Sequence, residues 1–165
     1  MNNLFSEQAA YTIDLSSLLK LFKESEAYYK GNFPSLWNKI EEAILEGEII
    51  SHIQVYDEIM QFNGDKDELM IWAKENKHLF RDYNLPEESD FIRIIGEKYP
   101  QFLSQGKHTI AHADPWLVAQ ARHQKLTVIC DEGKTKHNSL HVVCREYKIP
   151  SLDILGLMKQ KQWVV

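Results

Sequence analysis

Ala113-Asp114-Pro115-Trp116-Leu117-Val118-Ala119-Gln120-Ala121, then Leu126-Thr127-Val128-Ile129-Cys130 and Asp131-Glu132, is the stretch whose reading decides the fold. Asp114 before Pro115 predicts a helix start. The carboxylate would cap orphan backbone N–H groups, and proline suits a position whose N–H would have no partner. Leu117, Val118 and Ala121 follow at helical spacing, and the small Ala119 and Ala121 allow close approach. The apolar, β-rich run at 126–130 then predicts a strand that ends in acids. In open α/β sheets, ligands sit outside the carboxyl ends of the strands. An acid opening a helix and acids closing the next strand can share a metal there.

Working outward, the 165 residues are most simply one domain, 1–165, with a loose end at 1–9. No apolar run approaches membrane-span length, and the N-terminus does not read as a secretion signal. The two cysteines, Cys130 and Cys144, lack zinc-type spacing and read as reduced buried thiols, which predicts a cytoplasmic protein. Net charge is −5, unevenly spread: residues 1–98 carry 10 basic and 19 acidic side chains, residues 99–165 carry 9 and 5. A phosphate-facing surface would therefore draw on Lys107, Arg122, Lys125, Lys134, Lys136, Arg145 and Lys148. The acidic first half would suit a basic partner protein, although solvated helix faces account for most such charges.

Short strands are predicted at 10–13, 48–51, 126–130 and 148–149. Helices are predicted after Asp14 (Leu18, Leu19 and Phe22 inward), from Pro34 to Gly47 and from His52 to Phe62 (Val55, Ile59 and Phe62 inward). Others follow from Lys66 to Phe80, from Glu87 towards Pro100 (Phe91, Ile94, Ile95 and Tyr99 inward), from Asp114, from Leu140 to Tyr147, and from Pro150 onward (Leu152, Leu155 and Met158 inward). Strands alternating with helices predict an α/β fold: a three-layer α/β/α arrangement on a short, mostly parallel central sheet. A mainly helical protein is the competing reading, because the strands are short. Asp14 reads equally well as a simple helix N-cap. Glu58 borders the apolar stripe of its helix and suits either a solvated flank or a cleft.

Several of these stretches resemble the motifs of PIN-domain nucleases. Tyr11-Thr12-Ile13-Asp14-Leu15-Ser16-Ser17 is similar to their opening, an apolar strand, an aspartate and a Ser or Thr two places on. Ile49-Ile50-Ser51 with Val55-Tyr56-Asp57-Glu58-Ile59 resembles their second element, a strand and then a helix bearing a glutamate. The Asp114 helix resembles the third motif. Val128-Ile129-Cys130-Asp131-Glu132 resembles the fourth, in which a strand ends in threonine, any residue and an acid. The Trp72 helix and the Asp-Pro-Trp sequence point to an uncharacterised PIN-like family related to the VapC-type toxins of toxin–antitoxin pairs. The similarity covers roughly residues 10–158.

The resemblance implies a metal-dependent ribonuclease whose catalytic and metal-ligating acids are Asp14, Glu58, Asp114 and Glu132, with Ser16 in support. Asp131 is the alternative acid after the strand, although the spacing favours Glu132. Oxygen-only ligands suit Mg²⁺ or Mn²⁺. The implied reaction is in-line attack of water on a phosphodiester, leaving a 5′-phosphate and a 3′-hydroxyl. Lys134, Lys136 and Arg145 are candidates for phosphate contacts. RNA would be the substrate, an antitoxin protein the partner, and a homodimer is compatible with the pattern. The sequence departs from the motif at Cys130, where threonine is usual, and a thiol is a poor hydrogen-bond donor.

Other readings compete. A PIN-like scaffold without catalysis would act by binding protein or nucleic acid. Aspartyl-phosphate chemistry at Asp14 is disfavoured, because its usual second aspartate is here Ser16. His108 and His112 precede the helix start and need not share a face, and His137 and His141 read as loop and helix-surface residues. Of the four tryptophans, Trp116 alone stands beside the proposed site as a candidate base-stacking platform.

Overall fold

Five short parallel strands organise the chain: β1 (Tyr11–Ile13), β2 (Ile49–His52), β3 (Phe80–Arg81), β4 (Thr127–Ile129) and β5 (Ser151–Leu152). They lie in the order β3-β2-β1-β4-β5. Tyr11 is in register with Ile49 on one side and Thr127 on the other. In this computed structural model, residues 9–62, 67–82, 86–100, 113–133 and 139–165 are described. Every residue of β1 and β2 is buried. Both faces of the sheet are covered, which explains continuous apolar runs instead of an alternating pattern. The architecture is the expected three-layer α/β/α.

Eight helices connect the strands among the described residues: α1 (Leu15–Phe22), α2 (Pro34–Leu45), α3 (Ile53–Phe62), α4 (Glu68–Glu75), α5 (Pro86–Lys98), α6 (Asp114–Gln124), α7 (Leu140–Glu146) and α8 (Ile154–Lys161). From β1 the chain steps to β2 and β3 on one side. It then returns to place β4 and β5 on the other. The crevice between the carboxyl ends of β1 and β4 is therefore the topological switch point, where such sheets bind ligands.

Two predicted boundaries are corrected. The helix expected to run to Phe80 stops at Glu75, because Asn76 closes it by donating Nδ2–H to the Trp72 carbonyl at 2.9 Å. A 3₁₀ turn follows, and Phe80–Arg81 adds a fifth strand beside Ser51 and His52. The strand expected at 148–149 lies instead at Ser151–Leu152. Lys148, at φ 57°, closes α7, and the Ile149 N–H reaches back to the Cys144 carbonyl at 2.8 Å. This is the left-handed helix stop that pairs C″ with C3. Lys125, at φ 58°, ends α6 in the same way before β4.

Helix faces are also adjusted. On α5, Phe91, Ile92 and Ile95 are buried while Ile94 is 45% exposed. On α8, Asp153 caps the start by accepting the Gly156 N–H at 2.7 Å. Ile154 and Leu157 then turn inward and Leu155 outward. On α1, Leu21 joins Leu18 and Phe22 in the core and Leu19 is half-buried. The side chain of Phe62 lies outside the described residues.

Buried polar groups lock the layers together. Gln120 of α6, fully buried, accepts the Thr12 hydroxyl of β1 at 2.6 Å and donates to the Ser51 carbonyl of β2 at 3.1 Å. Ser51 in turn donates to the Ile13 carbonyl at 2.7 Å. Buried polar atoms must be paired, so this lattice fixes the height and rotation of α6 over the sheet. Away from it, Trp37 packs edge to face on Phe22 and Trp72, which are tilted against each other, all at 5.1–5.6 Å between centroids. Trp37 and Trp72 therefore serve packing.

Candidate metal centre

Asp14 leaves β1 at its carboxyl end, and its N–H donates to the Ile129 carbonyl at 2.9 Å, extending the pairing with β4. It caps α1, and its Oδ2 accepts both the Ser16 N–H at 3.3 Å and the Ser16 hydroxyl at 2.7 Å. The cap reading of Asp14 is thus right as far as it goes. One oxygen carries both bonds, and the residue is 3% exposed.

The cap reading of Asp114 is overturned. Asp114 is already the first residue of α6, Ala113 precedes it in helical conformation, and no side chain caps this end. With Pro115 next, the first turn offers one N–H fewer. The Asp114 carboxylate, in a residue 8% exposed, meets no hydrogen-bond donor among the described residues. Gln120 sets the position of its helix. Glu58 of α3 secures the start, accepting the Ala113 N–H at 2.8 Å. Glu58 is buried, so it belongs to the cleft and not to a solvated flank.

After β4, two adjacent acids part. Asp131 turns away from the crevice: Oδ2 accepts the Ser17 hydroxyl at 2.5 Å, and the Ile154 N–H at the start of α8 lies at 3.3 Å. Glu132 turns towards Asp14. Carboxylate oxygens of Asp14 and Glu132 and the Cys130 Sγ all lie within 4.8 Å of one another, a set that could hold a metal ion. Glu132 is steadied twice: its Oε2 accepts the Leu140 N–H at 3.1 Å, and its own N–H points to the Cys130 sulfur at 3.5 Å. The thiol thus orients the loop as an acceptor.

The electrostatics follow from this gathering. Burial pushes the Asp14 carboxyl up to about 7; the charges of Glu132 and Glu58 add to the rise, and Ser16 opposes it. Burial raises Asp114 well above the usual carboxylate range, with Asp14, Glu132 and Glu58 adding to it. The Asp14 and Glu132 carboxylates meet in the crevice, while Asp114 and Glu58 stand outside that set of ligand atoms and act on it through their charges, an arrangement a cation relieves.

The remaining predicted residues are not gathered there. Arg145 is exposed on the last turn of α7. Five residues beyond Leu140, it sits about 7.5 Å further along the axis from the end that meets Glu132. Lys134, Lys136, Lys107, His108, His112 and His137 lie outside the described residues. Arg122 lies over the Phe91 ring at 4.1 Å. His141 is not a surface residue: it is buried, Nε2 is 2.8 Å from the Cys130 carbonyl and Nδ1 is 2.8 Å from the Ser151 hydroxyl. Trp116 is stacked on His52 at 5.5 Å. Burial depresses the His52 imidazole to about 4, so it stays neutral.

Sequence reasoning missed Gln120, His141 and the ligand role open to Cys130. The available signal was a polar residue inside an apolar run, which has to be paired when buried.

A family model described as a domain of unknown function, DUF4411, matches residues 11–165. The chain belongs to this family. The matched span runs from β1 through α8, so the DUF4411 domain includes all four acids and Cys130. No curated protein matches the chain. Among the described residues, no helix is long and apolar enough to cross a membrane.

Proposed function

We propose that this DUF4411 chain is a PIN-like, metal-dependent endoribonuclease. The observation that carries the reading is the meeting of the Asp14 and Glu132 carboxylates within 4.8 Å at the switch point of a parallel sheet, with the buried Asp114, which has no donor among the described residues, adding to their charge. A buried charge left this way is costly unless something compensates it. The donor set fits a divalent cation, with Mg²⁺ or Mn²⁺ the ions favoured by its oxygens. When bound, such an ion supplies positive charge to the acids and to a phosphodiester oxygen.

The chain's own groups divide the remaining work. Asp14 and Asp114 hold the ion from the sheet edge and from α6. Ser16 keeps Asp14 in one rotamer, and its hydroxyl also accepts the Asp131 N–H at 3.1 Å, so that α1 and the β4 loop move together. Glu58 fixes the start of α6 through Ala113. Glu132, half-buried and open to solvent, would complete the ion's oxygen ligands beside Asp14 on the side from which water enters. Water attacks phosphorus, the bond to the 3′-oxygen breaks, and that oxygen leaves with a proton. The resemblance extends the proposal to the toxin of a toxin–antitoxin pair, with the acidic first half as the surface a basic antitoxin segment would meet.

Incubation of the chain with single-stranded and structured RNA in Mn²⁺ tests this. Asp14→Asn and Asp114→Asn should each lower cleavage by about 100-fold or more, the scale of removing one preorganised electrostatic group. Equal cleavage by wild type and both variants would remove the site from the reaction.

A further inference from the structure

We propose that the crevice also selects a thiophilic divalent cation of the zinc type, held through oxygen by Asp14 and Glu132 and through sulfur by Cys130. The inference rests on the crevice being the metal site argued above, and it adds a sulfur ligand and a class of ion. Three observations lead to it. First, the Cys130 sulfur stands with the two carboxylates within 4.8 Å, close to the spread of ligands around one ion. Second, the Glu132 N–H at 3.5 Å and the Ser16 hydroxyl oxygen at 3.6 Å hold that sulfur in the polar crevice. Third, Asp114, a residue 8% exposed with no donor among the described residues, adds its negative charge to that of Asp14 and Glu132.

Thiolate ligands shift preference towards zinc, cobalt and cadmium and away from magnesium. The threonine usual at this place in the motif would offer only oxygen. On binding, a metal–sulfur bond replaces the S–H bond and the proton passes to solvent, with no electron transferred. Cys144 is the internal control. It is also buried and free, yet no set of carboxylate oxygens is gathered around its sulfur among the described residues.

The test uses the full chain after chelator treatment, titrated with Co²⁺ and separately with ¹¹³Cd²⁺. One equivalent of Co²⁺ should produce a sulfur-to-cobalt charge-transfer band, and the ¹¹³Cd resonance should move downfield as thiolate ligation requires. Cys130→Ser should abolish both signals and lower Zn²⁺ affinity at least about tenfold, with Mn²⁺ affinity changed by less than about threefold. Cys144→Ser should retain both signals. Binding of Mn²⁺ and Co²⁺ by the wild type without either sulfur signature would overturn the inference and leave the nuclease reading intact. Failure of the wild type to bind any of these ions would overturn both. The wild-type spectra decide the matter even if the serine variant folds poorly.

Discussion

Asp131 and Glu132 are neighbours in the chain and belong to two differently built regions. Asp131 faces the starts of α1 and α8. Burial raises its carboxyl, and the Ser17 hydroxyl, the Ile154 N–H and the Lys20 charge pull it back down. Glu132 faces the crevice, where Asp114 is also raised by burial and three further carboxylates push it higher. Two acids on adjacent positions thus answer to different surroundings, Asp131 to donors at two helix starts and Glu132 to the Asp14 carboxylate and the Cys130 sulfur. Of the consecutive Ser16 and Ser17 on α1, Ser17 donates to the Asp131 carboxylate and Ser16 to that of Asp14. Asp114 stands apart from both, because no donor among the described residues offsets the burial that raises its carboxyl.

The pH dependence of the metal-free chain is the strongest way to break this contrast. Asp14 keeps its proton up to about pH 7 when folded, whereas in the unfolded chain it ionises from the ordinary value of 3.8. Between those values the folded state binds more protons. Stability therefore falls as pH rises from about 4 to about 7, by up to roughly 1.4 kcal/mol per pH unit for each such group. Below that window the penalty vanishes; above it the penalty is complete. Denaturant unfolding in chelator across this range should show the decline, excess Mn²⁺ should restore stability at neutral pH, and Asp114→Asn should flatten the slope. A flat profile in wild type would mean that the crevice carries no deficit.

Gln120 connects the crevice to the core. Gln120→Leu keeps similar volume but strands the Thr12 hydroxyl and the Ser51 carbonyl, at a cost of about 2–4 kcal/mol. Because α6 then loses its register on the sheet, divalent-ion affinity should fall as well, by about tenfold. Calorimetric binding beside thermal unfolding separates the two effects. Lost stability with unchanged affinity would make Gln120 a core residue only.

Most of the architecture was legible because it follows from local pattern. Strand-then-acid at Asp14 and Glu132, and small residues after Asp114, fix the sheet edge and the close packing of α6. What was not legible depends on partners distant in sequence. Asp114 reads as a cap until Ala113 is seen to continue the helix before it, a difference of one residue that releases the carboxylate. Phe80–Arg81 is too short to show a strand period and exists by pairing with Ser51 and His52. Spacing already favours Glu132 over Asp131; what it does not show is why Asp131 turns away, which depends on Ser17 and Ile154, 114 and 23 residues distant. His141 on α7 likewise gained a buried role only when β4 and β5 met beside it.

The smallest effect sharpens the comparison from its satisfied side. Asp131→Ala removes the acceptor for the Ser17 hydroxyl and the Ile154 N–H, two groups near the starts of separate helices. Loss of such a partner costs about 1–2 kcal/mol, and Asp153 still caps α8 through Gly156. Since Asp131 points away from the crevice, divalent-ion affinity should stay within about twofold of wild type, where loss of a ligand's outer-shell partner costs 10–100-fold. The two adjacent acids then separate cleanly. Alanine at 131 lowers the unfolding midpoint and spares metal binding. Glu132→Gln, which keeps an acceptor for the Leu140 N–H, spares the midpoint and weakens the ion. If both variants shifted both quantities equally, the loop would be one electrostatic unit, and the division drawn between its two acids would be wrong.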